Sequence, residues 1–238
     1  MALSKNQVDR AGRKFTNHVF ALLNEEPDLE LGEPEVRRVI EVIETWRSEH
    51  ARPLSRVSAN LRHYAGLHGR PVVAQRLKRV PAIAGKLIRE PSMKLSRMGD
   101  IGGVRAVMPS QSAAYDVANR LRRNWTITKF RDYVAEPKDD GYRALHLVNR
   151  NRGRLIEIQL RTEHQDLWAN NVEKLSRQAI PGLKFGEGPL AVREYLSDTA
   201  KILSEEDQGL APSSLTLDRM KARAIEAIKL PFGDPDEP

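Results

Sequence analysis

The sequence contains no cysteine, which excludes both a disulfide framework and a thiolate metal site. It has no apolar run long enough to span a bilayer, and its N-terminus, MALSKNQVDRAGRKFTNH, is too polar for a signal peptide. We therefore expect a cytoplasmic protein without membrane contact.

Two motifs of phosphate chemistry are also missing. There is no GxxxxGK[ST] motif, so the chain is not a P-loop protein. There is neither an HD dipeptide nor a paired His/Asp cluster, which a metal-dependent phosphohydrolase of that type requires. These absences exclude a P-loop nucleotide-binding site and a metal-dependent phosphohydrolase site of the HD type.

The composition is that of a soluble globular protein, with 40% hydrophobic and 30% charged residues in 238. This length suits one α/β domain with helical extensions. Lysine and arginine (39) outnumber aspartate and glutamate (32), for a net charge of +7. Such an excess indicates an anionic partner, which can be a nucleotide, RNA or a membrane surface.

A predicted β-hairpin carries the first candidate site residues. The segments ALHLVN (144–149) and LIEIQLR (155–161) alternate apolar and polar residues around an NRG turn. In the second strand the isoleucines and Leu160 point to the core, which leaves Glu157 and Gln159 side by side on the opposite face.

The loop before the hairpin, PKDDGY (137–142), combines a cation, two carboxylates, a glycine and an aromatic ring. A nucleotide offers anionic phosphates to Lys138 and a flat base to Tyr142. The alternative is an ordinary hairpin loop with a packed tyrosine.

Upstream, residues 72–91 are interpreted as a basic helical stretch that Pro81 interrupts. Cations near a helix N-terminus would suit a triphosphate, although a basic helix face is often only solvated.

Asp100 precedes the predicted strand 104–108. It either caps a turn there or joins Glu157 in binding a divalent cation.

The order of predicted elements indicates an α/β (α+β) fold, with a mixed sheet of about five strands flanked by helices. We divide the chain into an N-terminal extension (1–33), a central domain (34–178), two C-terminal helices (179–230) and a disordered tail (231–238).

Three motifs in this order, RLKR…K (76–86), RMGDIGGVRAV (97–107) and DYVAEPKDDGYRALH…IEIQLRT (132–162), carry a family resemblance. Together they resemble the synthetase domain of the RelA/SpoT family over roughly residues 35–178. The residues of these motifs are most similar to those of the single-domain small alarmone synthetases and their toxic branch, which includes CapRel and PhRel. The resemblance implies a nucleotidyltransferase-like fold and transfer of the β,γ-pyrophosphate of ATP to a ribose 3′-hydroxyl.

On the donor side, the resemblance implies that Arg76 braces the adenine and that Lys78 and Lys86 lie along the ATP phosphates. It assigns Mg²⁺ to Asp100 and Glu157, with Glu157 also the base for the 3′-hydroxyl. The remaining implied roles are charge neutralisation by Arg105 and Arg131, an acceptor side lined by Lys138, Asp140, His146 and Gln159, and base stacking by Tyr142.

The chain departs from the family pattern at two informative positions. Ala82 stands where a serine is frequent in the family, and this change affects the contacts expected with the phosphates of the donor. Asp140 stands where asparagine or serine is common, which concerns the acceptor preference.

Three functions remain open at the level of sequence. The first is a toxin that pyrophosphorylates the 3′ CCA end of tRNA, favoured by the arginines near the motifs: Arg120, Arg122, Arg123, Arg150, Arg152 and Arg154. The second is a (p)ppGpp synthetase of the stringent response acting on GDP or GTP, or less readily on adenine nucleotides. The third is an inactive nucleotide or RNA sensor. Without a hydrolase motif, an active enzyme would need an antitoxin or a separate hydrolase to restrain it.

Overall fold

The computed structural model describes residues 3–24 and 31–232. Its helices are α1 (Lys5–Asn24), α2 (Glu33–Ser48), α3 (Ala51–Gly66), α4 (Val80–Arg89), α5 (Gln111–Asn124), α6 (Glu163–Gln178), α7 (Leu190–Asp207) and α8 (Ser214–Phe232). Its strands are β1 (Val72–Leu77), β2 (Gly102–Met108), β3 (Ile127–Asp132), β4 (Leu145–Asn151) and β5 (Arg154–Thr162).

The five strands form one mixed sheet in the order β1-β2-β5-β4-β3. Strands β2 and β5 run parallel, and the other three pairs are antiparallel. The predicted α+β fold with about five strands is confirmed. The interpretation of residues 72–77 as part of a helix is wrong, because they form edge strand β1 and the helix begins only at Val80. Most of β1 is exposed, so it lacks the apolar alternation that marks a half-buried strand.

One face of the sheet is covered by α3 and α5. Alternate residues of the central strands, among them Val104, Ala106, Ile156, Ile158 and Leu160, pack with these helices in a common core. All five of these side chains are buried, as the strand period predicts. The alternate positions of the same strands, including Glu157 and Gln159, therefore face the other side of the sheet.

The hairpin turn is built as the sequence predicts. Arg152 and Gly153 both have positive φ, at 48° and 77°, which is the backbone of a two-residue type I′ turn. The turn sets the register of β4 against β5, in which His146 lies opposite Gln159 and Val148 opposite Glu157.

The helices outside the central motif are attached to the same body. Helices α1, α2 and α4 share a second apolar core, and Asp9 of α1 accepts hydrogen bonds from the backbone N–H and the hydroxyl of Ser96, at 2.8 and 3.0 Å. A third apolar cluster joins α6, α7 and the turn at residues 183–185. Of the predicted disordered tail, residues 231–232 end α8, and residues 233–238 lie outside the described part.

No helix within residues 3–24 or 31–232 combines the length and the apolar character that crossing a bilayer demands.

Stability should fall in weak acid because of a buried histidine between α2 and α3. His50 is 1% exposed, and its Nδ1 lies 2.7 Å from the carbonyl oxygen of Trp46. Burial lowers the pKa of His50 from 6.5 to about 4, although the hydrogen bond to Trp46 opposes this shift. As the pH falls, His50 is therefore protonated in the unfolded chain before it is protonated in the folded protein. The free energy of unfolding decreases as the pH falls from about 6.5 towards 4.

Urea titrations at pH 7 and pH 5 check this expectation. The wild type should lose about 2 kcal/mol more of its free energy of unfolding than His50→Asn, which keeps an N–H donor but does not titrate. Equal losses in the two proteins would show that His50 is not the group responsible.

Candidate active site

A cleft of about 570 Å³ lies on the sheet face that α3 and α5 leave uncovered. Its walls come from β1, β2, β5, α4, α6, the 138–142 loop and residues 184–185. Most of the predicted site residues line it: Arg76, Lys78, Asp100, Arg105, Lys138, Asp140, Tyr142, Glu157 and Gln159. The fold therefore gathers into one cavity residues that are widely separated in sequence.

Asp100 enters the cleft from the short segment that precedes β2. Its two carboxylate oxygens accept hydrogen bonds from Lys78 at 2.9 Å and from Lys86 at 3.0 Å. Burial by itself would raise the pKa of Asp100, but the two ammonium groups outweigh it and hold the pKa below its ordinary value. Asp100 is thus ionised at neutral pH, and Lys86 belongs to the site through this contact.

Glu157 lies on β5, opposite Gly103 of β2. Its carboxylate lies 3.3 Å from Nδ1 of His146 and accepts a hydrogen bond from Gln159 at 2.7 Å. Burial would raise its pKa, and the negative charge of Asp100 adds to that effect. The interaction with His146 and the hydrogen bond from Gln159 prevail, so the pKa of Glu157 lies below its usual value. The two acids are therefore neighbours, and both are ionised.

Tyr142 lines the cleft within a polar and aromatic cluster. Its hydroxyl lies 2.6 Å from Nε2 of His146 and accepts a hydrogen bond from Arg161 at 2.8 Å. Burial raises the pKa of Tyr142, so the phenol stays protonated. The ammonium of Lys138 lies 5.0 Å from the centre of its ring. A base that stacks on this face of Tyr142 would replace Lys138.

The predicted charged residues around this cluster are held in different ways. Asp140 accepts a hydrogen bond from the Tyr142 backbone N–H at 2.9 Å, so it shapes the loop as well as lining the cleft. Arg76 is exposed and lies 3.6 Å from Glu173, whereas Arg105 contacts α6 through Asp166 and Asn170, both at 3.0 Å.

Lys86 and His146 do not line the cleft themselves but contact residues that do, whereas Arg131 lies farther out. It lies on edge strand β3 opposite His146, with an exposed side chain, and it is not among the lining residues. Strand β3 is separated from β5 by β4, which places Arg131 farther out on the same face of the sheet.

Several residues that line the cleft were not predicted. Arg161 is 7% exposed and connects Tyr142 with Gln159 and Asp166 through hydrogen bonds. The strand alternation already placed Arg161 on the face of Glu157, which was a usable signal. The contributions of Trp168 and Lys184 come from α6 and the loop after it, whose position depends on tertiary packing.

The loop that carries Tyr142 has a backbone requirement at Gly141, which we expect to be sensitive to substitution. Its φ is +89°, and a Cβ at this position would lie 2.6 Å from Cβ of Ala200 and 3.2 Å from Cα of Ser197 in α7. Gly141→Ala should destabilise the fold by about 2 kcal/mol and displace Tyr142. Thermal unfolding and nucleotide titrations measure the two effects.

Gly153→Ala is the matched control for Gly141→Ala. Gly153 also has a positive φ, +77°, but its Cβ would meet nothing within 4 Å. It should cost only about 1 kcal/mol of backbone strain and leave ligand binding unchanged. If both variants behave alike, the contact between α7 and the loop has no influence on the site.

Neighbouring central strands of this α+β domain thus bring two ionised acids into a cleft that is also lined by cations. Comparison with known proteins identifies the region more closely. Residues 75–176 match the family model described as "Region found in RelA / SpoT proteins". The matched region includes all three motifs on which the family resemblance rests.

Two curated relatives are GTP pyrophosphokinases of Bacillus subtilis (strain 168). The chain is 35% identical to YwaC over 116 residues, which cover 42% of the chain and 55% of YwaC. It is 34% identical to YjbM over 109 residues, which cover 41% of the chain and 52% of YjbM. The chain thus spans about half the length of the curated relatives it matches.

Solved structures support the fold over a longer stretch. The small alarmone synthetase 1 of Bacillus subtilis, bound to its product pppGpp, superimposes with a TM-score of 0.60 at 24% identity, covering 70% of this chain and 94% of that one. The small alarmone synthetase 2 of the same organism gives a TM-score of 0.53 at 26% identity, covering 74% and 95%. The overall fold is that of the small alarmone synthetases.

Proposed function

We propose that the chain is an ATP-dependent pyrophosphokinase that transfers the β,γ-pyrophosphate of ATP to the ribose 3′-hydroxyl of a guanine nucleotide. The observation that carries the proposal is the convergence of Asp100 and Glu157, both ionised, in one cleft between a cationic wall and Tyr142. The relatives named GTP pyrophosphokinases and the synthetase fold support it.

In this proposal the donor binds beside β1 and α4. Lys78 and Lys86, which form ion pairs with Asp100, turn to the phosphates of ATP. Arg76, exposed on β1, is free to move from Glu173 to the adenine. Arg105 adds positive charge from β2, where the charge of the transferring group develops.

The acids suit a magnesium ion that is shared with the substrate. Magnesium is usually held by one or two carboxylates together with phosphates and water, and Asp100 and Glu157 supply two carboxylates. Among the described residues no group of three or more such ligands exists, so the phosphates would complete the coordination. The bound ion would neutralise phosphate charge during transfer.

For the chemical step we assign Glu157 as the base. The 3′-oxygen of the acceptor attacks the β-phosphorus of ATP, its proton passes to Glu157, and AMP leaves with the electrons of the broken α,β-bridge. His146 and Gln159 hold the carboxylate in place from both sides. Since catalysis of this type depends on alignment, these two contacts are positioning interactions.

On the acceptor side, Tyr142 offers its ring to the base, and Lys138 moves from that ring to the acceptor phosphates. Asp140 keeps the loop in shape through the Tyr142 N–H. The preference for a guanine nucleotide is supported by the names of the relatives and by the pppGpp in the synthetase 1 structure.

Transfer to tRNA remains the alternative, but its main support is weaker than the sequence indicated. None of the six arginines that favoured it lines the cleft. Arg120 and Arg122 lie over the rings of Tyr64 and Phe130, and Arg154 pairs with Glu49. Helix α5, which carries Arg120, Arg122 and Arg123, packs on the face of the sheet away from the cleft.

Incubation with γ-labelled ATP tests the proposal directly, with GDP, GTP, an adenine nucleotide and tRNA in separate reactions. Label in the guanine nucleotides supports the proposed function, whereas label in tRNA alone establishes the toxin. ATP binding without transfer to any acceptor favours an inactive sensor. Under either active reading we propose a separate hydrolase or an antitoxin as the restraining partner.

A further inference from the structure

We propose that Lys184, from the loop between α6 and α7, binds the polyphosphate of the donor nucleotide and completes the cationic wall of the cleft. The inference rests on the proposed function, because it concerns the same donor site. It adds a residue that lies outside residues 75–176, the region that the family model matches.

The loop directs Lys184 into the cleft because the preceding residue, Leu183, is buried. Leu183 is 1% exposed and packs in the apolar cluster of α6 and α7. Gly182 and Gly186, at φ of +86° and +81°, flank the short turn and reverse the chain around it. With Leu183 fixed inward, Lys184 and Phe185 both line the cleft.

A contact with α4 holds the loop across the cleft. The guanidinium of Arg89, the last residue of α4, lies 3.9 Å from the centre of the Phe185 ring. Helix α4 also carries Lys86, one of the two lysines on Asp100. The Arg89–Phe185 contact therefore brings the loop to the helix that forms the donor side.

The positive charges around Lys184 favour the binding of an anion. Lys78 and Lys86 are each paired with Asp100, whereas Lys184 has no ion pair with any acid in the described parts of the chain. Partial burial lowers the pKa of Lys184; Glu173 opposes the shift, and Lys78, Arg89 and Arg76 lower the pKa further. Clustered positive charges of this kind repel one another until a polyanion such as a triphosphate enters between them.

Binding measurements with Lys184→Met test the inference. The ligands are α,β-methylene-ATP, in which the bridge that breaks is blocked, and AMP, which lacks the β- and γ-phosphates. Lys184→Met should weaken binding of the ATP analogue at least about tenfold and change AMP binding less than about twofold. Lys184→Arg should restore most of the affinity for the analogue.

Lys174→Met is the matched control, because Lys174 is exposed on α6 and does not line the cleft. It should bind both nucleotides as the wild type does. If Lys184→Met keeps the wild-type affinity for the analogue, or loses the analogue and AMP equally, the inference is overturned. A wild type that binds the analogue but transfers nothing would instead contradict the proposed function, so the two failures are distinguishable.

Discussion

Glu157→Gln is expected to reduce kcat for pyrophosphate transfer by at least about 1,000-fold. The substitution keeps the size of the side chain and removes both the negative charge and the proton acceptor. It also removes the charge that faces His146 and Asp100. Steady-state kinetics with ATP and the best acceptor measures the loss, and circular dichroism checks that the protein is folded.

Glu136→Gln is the control for this charge change. Glu136 is exposed in the segment before the 137–142 loop and does not line the cleft, so its replacement should leave kcat unchanged. Wild-type turnover by Glu157→Gln would remove the base from the proposed mechanism.

Tyr142→Ala is expected to weaken binding of the acceptor about 5- to 150-fold while ATP still binds. The ring is the proposed stacking surface, and base–aromatic stacking contributes about 1–3 kcal/mol per base. It also packs against Trp168 and Tyr133, so its removal should destabilise the fold by about 2–4 kcal/mol. Calorimetric titrations with GDP and with the ATP analogue separate the two sides of the cleft.

Two further variants separate stacking from packing. Tyr195→Ala removes a ring from the same apolar cluster without touching the cleft, so it should cost stability and leave acceptor binding intact. Tyr142→Phe keeps the ring and loses the hydroxyl that contacts His146 and Arg161, and it should retain acceptor binding with a lower kcat. Equal weakening of ATP and acceptor binding in Tyr142→Ala would contradict the assignment.

Much of the fold was predictable because local signals agree with the tertiary structure. The β4–β5 hairpin has both the alternation and the turn residues that its geometry needs, and Thr162 caps the N-terminus of α6. Strand β1 was missed because an exposed edge strand need not alternate, and because the basic residues Arg76, Lys78 and Arg79 lead from its end into the helix that begins at Val80.

The residues of the candidate site also differ in whether local sequence signals or tertiary packing determine their positions. Residues on or beside the central strands, such as Asp100, Glu157 and Gln159, could be predicted because strand periodicity and the motifs locate them. Lys184 could not, since its place in the cleft depends on the packing of Leu183 and the contact of Phe185 with Arg89. The distance of Arg131 from the acids could not be predicted either, because it is set by the position of β3 at the edge of the sheet.

The parallel pairing of β2 with β5 has a consequence for the newly made chain. These strands are distant in sequence, and they become neighbours only after α5, β3 and β4 have emerged and the crossover has closed. A nascent or truncated chain that ends before β5 holds Asp100 without its partner acid. The proposed activity should therefore appear only after β5 has been made, so that its appearance reports on the folding of the sheet.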